Sequence, residues 1–439
     1  MNIESHCSSA KNDAHRPVLM NVFSFSAFHH LVLISVLVTL IVSSRSLQAA
    51  PAFTLQQVID SALQHNPSVN IARAQEDAAL AAVTTSKAYM NPEVEFGIGP
   101  SRYRSGNNEV KSNWGVGLSQ TLEYSDVRNA RQSIAESNVK VAGVGREITR
   151  VELRSRVKDA FYNVLQRQSV LKLVDEDRHL LQQIRERVKL RADVGEAPRY
   201  ELIKAETESL AAERDYQAAL ARVLEAKAYL HGLIGSEMPS DYELTGELPL
   251  GDSLPSLVSL REKIEQSPQL QQIRAASEAA DAKLQLEERL RNPGLTLKAG
   301  MDQDPDMTNM RFGIAIPLPL WSQRQGQIAE AAAGVRQVQA ILNDRTLALH
   351  RDIESAYQRY LIAQQQVAAF EHGLLSQSES VLKTAEAAYR FGERGILDYL
   401  DAQRTFRSVR KDYLTARYDY VSAMLETERL LGAEIFPTN

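Results

Sequence analysis

Apolar and polar residues alternate in four short segments of the chain. A period of two places successive side chains on opposite faces and indicates β-strands. The apolar members of the four segments are Val94, Phe96 and Ile98; Trp114, Val116 and Leu118; Leu295, Leu297 and Ala299; and Phe312, Ile314 and Ile316. The pattern predicts two β-hairpins, at 93–123 and 294–319, with polar tips at 105–111 and 302–309.

Each hairpin is followed by a very long segment with helical character. The segment from about Val127 to Ala192 contains no proline, and the segment 325–391 is similar. At 1.5 Å per residue, a helix of ~65 residues is about 100 Å long. Each long helix is predicted to turn near a glycine, Gly195 or Gly392, before a helix of roughly 35 residues returns. Helical patterns of this length are typical of coiled coils, which we place at 127–235 and 325–432.

The two halves of the chain repeat one another. Asn66-Pro67 and Asn91-Pro92 lie 25 residues apart, and Ser267-Pro268 and Asn292-Pro293 have the same spacing. Proline ends a helical hydrogen-bond ladder, so each pair predicts a break between elements. Self-similarity of this kind indicates a repeated structural unit. We therefore predict a first repeat at 50–235 and a second at 255–439, joined by a Pro-, Gly-, Ser- and Asp-rich linker at 236–254.

The N-terminal segment is typical of an export signal. Lys11 and Arg16 precede an apolar stretch at 31–42, and small residues follow. About a dozen apolar residues are too few to span a bilayer but suit the core of a signal peptide. We predict a signal peptide at 1–49, cleaved somewhere between 49 and 52; an uncleaved anchor is the alternative.

Composition and charge exclude several classes of function. The 439 residues carry a net charge of -5, which argues against a nucleic-acid partner because that would need a basic patch. Cys7 is the only cysteine, so the chain has neither a disulfide framework nor a cysteine-based metal site. The histidines that follow the predicted signal peptide are scattered, and no nucleophile elbow, phosphate loop or dinucleotide fingerprint occurs. We predict no catalytic site, no cofactor and no bound metal.

Strands and helices of these kinds together favour a conduit across a membrane. Four strands cannot form an open sheet in lipid, and bacterial barrels have even strand numbers of eight or more, so three chains would supply twelve. The long helices carry charges throughout and are expected to project into the periplasm. A non-conducting periplasmic coiled-coil scaffold with soluble hairpins remains the alternative class.

The segment Tyr389-Arg-Phe-Gly-Glu-Arg-Gly-Ile-Leu-Asp-Tyr-Leu-Asp-Ala402 resembles the periplasmic-tip signature of the TolC-like outer-membrane factors. The resemblance covers almost the whole mature chain. It implies a mainly α fold with a small β part, located in the outer membrane. It also implies a homotrimer, in which a twelve-stranded transmembrane β-barrel with four strands per chain continues into a long periplasmic α-helical barrel. The implied role is that of a passive duct, whose partners are a periplasmic adaptor and an inner-membrane pump of the resistance-nodulation-division (RND) class.

The same resemblance assigns roles near the turn of the second coil. It places Arg394 and Tyr389 at positions that link neighbouring helices, and Glu201 at the acidic position that partners them. It places Asp398 and Asp401 in an acidic ring at the periplasmic gate. Residues three apart share a helix face, so a trimer would gather six carboxylates around a narrow opening. Charged rings of this kind favour cations.

The turns themselves are the predicted contacts with the adaptor. They comprise Gly195 and Glu196 in the first repeat, and Gly392 and Glu393 in the second. Tyr200 departs from the family pattern, since a small polar residue would suit the link better.

The segment 115–131 is similar to the CzcC branch of the family, and its matching stretches are Leu118-Ser-Gln-Thr-Leu-Glu-Tyr and Arg128-Asn-Ala-Arg131. Asn91-Pro-Glu-Val-Glu, at the second proline break, fits the same branch. That branch serves cobalt, zinc and cadmium efflux, so the resemblance implies divalent heavy-metal cargo. Efflux of drugs or organic compounds and type I protein secretion remain alternatives.

Overall fold

The computed structural model describes residues 51–102, 110–235, 239, 242–249 and 253–435. Several sequence predictions fall partly or wholly outside these residues. They include the signal peptide at 1–49, most of the hairpin tip at 105–111, parts of the linker at 236–254, and the outermost positions of the two repeats, 50 and 436–439.

Two successive series of elements have the same order of helix, helix, hairpin and long coil. The first contains α1 (Leu55–His65), α2 (Pro67–Lys87), β2 (Glu93–Arg102), β3 (Val110–Leu122), α3 (Ser125–Asp193) and α4 (Arg199–Ile234). The second contains α5 (Leu257–Ile264), α6 (Pro268–Arg289), β5 (Leu295–Gln303), β6 (Thr308–Ala315), α7 (Gln325–Ala369), α8 (Leu375–Arg390) and α9 (Ile396–Leu431). Two short strands, β1 (Ala52–Phe53) and β4 (Glu243–Leu244), pair in parallel. The fold is mainly helical with a small β part and two internal repeats, as predicted.

The predicted break at Asn66-Pro67 separates α1 from α2. Pro67 occupies the first helical position, where its missing N–H costs no intrahelical bond. The Asn66 side chain caps α2 by accepting a hydrogen bond from the Ser68 N–H at 2.9 Å. Its amide also donates to the Leu233 carbonyl at 2.7 Å. One residue therefore begins α2 and ties it to the end of α4.

The hairpins join into one antiparallel sheet with the strand order β2-β3-β5-β6. Val94 lies opposite Leu118, Leu118 opposite Ala299, and Ala299 opposite Phe312. The alternating apolar residues consequently share one face of the sheet. That face is open: the Phe312 side chain is 85% exposed, and most of its large apolar neighbours are also exposed. Charged and small residues, including Glu93 and Lys298, occupy the other face.

We call α3 and α4 coil 1, and α7 to α9 coil 2. Helices α3 and α4 pack along each other, and α9 contacts α3, α7 and α8. No helix in the described part of the chain is apolar over a stretch long enough to cross a membrane.

The prediction of one uninterrupted helix from 325 to 391 is wrong. Helix α7 ends at Ala369, and a π-helical turn at Phe370–Leu374 separates it from α8. Gly373 within that turn has non-helical angles, with φ 169° and ψ −34°. Glycine weakens a helix interior by about 1 kcal/mol relative to alanine, and π-helical insertions are a recognised cause of helix kinks. Coil 2 therefore has a bend that coil 1 lacks over the same stretch.

The described part of the linker packs against both repeats. Tyr242 is fully buried in a cluster with Phe161 and Leu230, whereas Leu248 is buried in a second cluster with Tyr360. The Tyr242 hydroxyl donates to the Lys227 carbonyl at 2.8 Å. This segment thus stabilises the helices of each repeat as well as connecting them.

Candidate functional site at the turns of the two coils

The two coils reverse direction through turns with the same geometry. Gly195 and Gly392 have φ of 77° and 75°, a left-handed conformation that glycine adopts without steric cost. The Glu196 N–H donates to the Arg191 carbonyl at 2.8 Å, and the Glu393 N–H donates to the Ala388 carbonyl at 2.9 Å. These are the helix-ending bonds of a Schellman motif. The predicted turn residues therefore form equivalent structures in the two repeats.

Both turns lie at the same end of the molecule. The helices beneath them share one buried cluster, formed by Leu181, Ile184, Val188, Ala205, Ala212, Ile396, Tyr399 and Leu400. Because these side chains come from α3, α4 and α9, the cluster packs coil 2 against coil 1. Large apolar side chains nevertheless remain exposed beside the turns; they are Leu190, Val194, Tyr200 and Phe391, the last 81% exposed.

Asp398 and Asp401 face away from this buried cluster. Ile396 and Tyr399 are buried, and a residue two positions further along a helix points to the opposite side. Both aspartates are exposed, and with Arg394 they line a groove between α8 and α9. The Arg394 guanidinium lies 3.5 Å from the Asp398 carboxylate. Exposed pairs of this kind contribute about 0–1 kcal/mol, so both aspartates remain available on the surface.

Tyr389 connects the two coils through a residue that the sequence analysis did not identify. Its hydroxyl accepts a hydrogen bond from Arg191 at 3.3 Å. Its ring stacks on that of Tyr399, with centroids 5.9 Å apart and planes at 7°. A basic residue in the last turn of a helix is common because it complements the helix dipole, so Arg191 carries no distinctive sequence signal.

Glu201 lies in the first turn of α4 and points across to the turn of coil 2. Its Oε1 atom lies 3.9 Å from the position that a Cβ atom on Gly395 would occupy. Arg394 pairs with Asp398 and Tyr389 with Arg191. Within the described residues of one chain, neither Arg394 nor Tyr389 forms an ion pair or hydrogen bond with Glu201. The predicted link to Glu201 stays a prediction.

A second contact between the coils lies above the turns. Glu208 of α4 accepts a hydrogen bond from Arg404 of α9 and forms an ion pair with Lys204, one helical turn away, at 3.3 Å. Burial alone would raise the pKa of Glu208, but the hydrogen bonds from Arg404 and Lys204 outweigh it and hold that pKa below its usual range. The carboxylate is therefore kept ionised between two cations.

The described residues contain no group of three or more His, Cys, Asp or Glu side chains placed to hold a metal ion. Within one chain, the features concentrated at this end are two reversing turns, exposed apolar side chains and a pair of surface carboxylates.

Comparison with known proteins finds relatives that match most of the chain. The family model of the outer membrane efflux proteins matches the chain twice, at residues 58–236 and 260–433. The cobalt-zinc-cadmium resistance protein CzcC of Cupriavidus metallidurans is 24% identical, over 88% of this chain and 91% of its own length. The outer membrane protein TolC of Vibrio cholerae is also 24% identical, over 87% of this chain and 91% of its own length.

Solved structures agree on the fold. The CmeC outer membrane channel of Campylobacter jejuni superimposes with a TM-score of 0.74 at 15% identity, over 88% of this chain and 87% of that one. The two matches to the family model also correspond to the two repeats. The resemblance inferred from the turn segment is confirmed, and the chain is an outer-membrane protein that belongs to the outer membrane efflux protein family.

Proposed function

We propose that this chain is the outer-membrane duct of a tripartite efflux system that exports divalent heavy-metal cations. It would act passively, with a periplasmic adaptor and an inner-membrane RND pump. The observation that best supports a duct is the four-stranded sheet. Its apolar face is exposed, and strands β2 and β6 form its two edges. Unpaired edges are costly in lipid, and closure into a barrel removes them.

A homotrimer would close the sheet. Three copies supply twelve strands, an even number within the range of bacterial barrels. Pairing β6 of one copy with β2 of the next would leave no edge. The apolar face would then contact lipid, and the coils would extend from the barrel into the periplasm.

The turns of the coils are the proposed docking surface for the adaptor. Leu190, Val194 and Phe391 expose apolar side chains beside the two turns. Exposed apolar patches of this kind mark sites of protein–protein contact. The adaptor would contact these residues together with the turn pairs Gly195-Glu196 and Gly392-Glu393.

Asp398 and Asp401 are the proposed acidic ring of the periplasmic gate. A trimer would gather six carboxylates around one narrow opening of the duct, and rings of this charge favour cations. Arg394, Tyr389 and Glu201 would link neighbouring helices around that opening. Heavy-metal cargo is supported by this cation preference and by the similarity to a cobalt-zinc-cadmium resistance protein.

The cargo is tested by growth of a strain that lacks this chain. We expect the strain to lose tolerance to cobalt, zinc and cadmium, while its tolerance to dyes and detergents is unchanged. Restoring the intact chain should restore tolerance. Sensitivity to organic compounds alone would assign the duct to drug efflux instead, which is the second candidate.

The ring is tested by the double variant Asp398→Asn with Asp401→Asn, which removes the charge and keeps the side-chain size. A loss of only ~1.4 kcal/mol of attraction changes the occupancy of a cation about tenfold. We therefore expect the cation-over-anion permeability ratio in planar-bilayer recordings to fall by about that factor. Asp412→Asn, an exposed position further along α9, is the control. Equal permeability ratios in the double variant and the wild type would contradict the ring.

A further inference from the structure

A buried carboxyl–amide pair joins the two coils above the turns. Asp177 of α3 and Gln403 of α9 are each 4% exposed. The Gln403 side-chain amide donates to Asp177 Oδ1 at 3.1 Å. The other oxygen of each group, Asp177 Oδ2 and Gln403 Oε1, has no hydrogen-bond partner among the residues that the structure describes.

The two unpartnered atoms are both acceptors when the carboxyl is ionised. Leaving a buried acceptor without a donor is unfavourable, because the hydrogen bonds that it made to water are not replaced. A protonated carboxyl, by contrast, has one O–H donor in addition to its acceptor oxygen. A proton on Asp177 Oδ2 would donate to Gln403 Oε1, while Oδ1 keeps the bond from the amide. One proton would thus satisfy both atoms and close a ring of two hydrogen bonds, as between a carboxylic acid and a primary amide.

We propose that Asp177 and Gln403 form a proton-binding site that fastens coil 2 to coil 1 in acid and loosens when the proton leaves. The site lies on the same side of α9 as the buried cluster near the turns, because Gln403 follows Ile396, Tyr399 and Leu400 at helical spacing. It connects positions that are 226 residues apart in the chain.

The charged groups around the site both raise and lower the pKa of Asp177. The pKa of Asp177 is raised to about 6, because the effect of burial, together with a smaller one from Glu176, exceeds the lowering by Arg407, Arg410 and the Gln403 hydrogen bond. The charged groups that face the site or line the adjoining groove are Glu176 on α3; Arg214, Asp215 and Arg222 on α4; and Arg404, Arg407, Arg410 and Lys411 on α9. Several are already paired: Arg410 with Glu176, Arg214 with Asp215, and Arg404 with Glu208. Burial therefore raises the pKa of Asp177 by more than the neighbouring cations lower it.

The direction of the pH effect follows from the sign of the shift. A carboxyl whose folded-state pKa is raised contributes stability that is fully present below its unfolded pKa of about 3.9 and is lost as pH rises through the folded value. The contact between the coils should tighten as pH falls through about 6. Looser contact at higher pH would free coil 2 at the narrow end of the duct; that last step rests on the proposed function, whereas the protonation itself does not.

Infrared spectroscopy of the purified full chain tests the proposal. A protonated buried carboxyl gives a carbonyl band separate from that of a carboxylate. We expect the wild type to retain one such band at mildly acidic pH and to lose it with a midpoint of about 6. Asp177→Asn should lack the band. Asp419→Asn is the control, because burial also raises the pKa of Asp419 and its removal must leave the Asp177 band in place.

Hydrogen exchange supplies the second measurement. The asparagine side chain of the Asp177→Asn variant would donate to Gln403 Oε1 and accept from its amide at every pH, and so imitate the protonated acid. We expect protection of the α9 amides near Gln403 to fall above pH of about 6 in the wild type and to stay constant in Asp177→Asn. A wild type with no protonated carboxyl at mildly acidic pH would overturn the proposal, whatever the variants do. Neither measurement depends on conduction through the protein. A negative result would therefore reject the proton-binding site without rejecting the proposed duct.

Discussion

Replacing Lys158 with methionine is expected to destabilise the chain by about 3–5 kcal/mol. The Lys158 side chain is 3% exposed, and its ammonium lies 3.1 Å from Glu428 and 2.8 Å from Glu434. Glu428 is also buried, and its second oxygen accepts the Ile435 N–H at 2.8 Å. Replacing the lysine would remove the ammonium that lies against the buried Glu428 carboxylate, and removing one partner of a buried ion pair is strongly unfavourable.

The pH dependence of this loss has a definite sign. The hydrogen bond from Lys158 holds the pKa of Glu434 below its usual range. A carboxyl with a lowered pKa contributes stability that is present above its unfolded pKa and is lost as pH falls through the folded value. The difference between wild type and Lys158→Met should therefore be largest near neutral pH and shrink in acid.

Lys140→Met is the matched control. Lys140 and Glu278 form an ion pair at 2.7 Å between helices α3 and α6, but the lysine side chain is 61% exposed. Exposed pairs contribute about 0–1 kcal/mol, so its removal should shift the midpoint of denaturant unfolding in detergent only slightly. Equal shifts for the two variants would mean that the Lys158 contact is no stronger than a surface pair.

The elements that the sequence predicted best depend on short-range patterns. Alternation at Val94, Phe96 and Ile98 indicated a strand because a period of two separates the faces of a sheet. Gly195 and Gly392 marked the turns because their left-handed geometry disfavours other residues. Local patterns of this kind predict structure well because the residues that show the pattern are the same residues that form the element.

Contacts between distant segments were not predictable in the same way. Asp177 and Gln403 meet across 226 residues, and Arg191 reaches Tyr389 across 198. Each residue occurs in an ordinary helical sequence, and periodicity gives only the face on which it lies. The π-helical turn near Gly373 was missed because one extra residue in a turn hardly changes a helical pattern. The repeat predicted equivalent elements in the two halves, whereas the side-chain contacts between the coils are not repeated in this way.

Replacing Leu118 with arginine is expected to prevent most of the chain from assembling in the outer membrane. Leu118 is exposed in the middle of the apolar face, opposite Val94 and Ala299. Arginine on the lipid face of a barrel costs about 2–4 kcal/mol near the bilayer midplane. The proposed trimer carries the substitution three times, so the cost would reach roughly 6–12 kcal/mol per assembly.

The adjacent Ser119→Arg provides a control within the same strand. Successive residues of a strand point to opposite faces, and Ser119 lies opposite Glu93 and Lys298 on the charged face. We expect this variant to assemble almost normally, as measured by the yield of detergent-extracted trimers from the outer-membrane fraction. If both variants assembled equally well, the apolar face would not contact lipid, and the non-conducting scaffold would replace the duct. If only Leu118→Arg failed, the face that alternation predicted would be the one that meets the membrane.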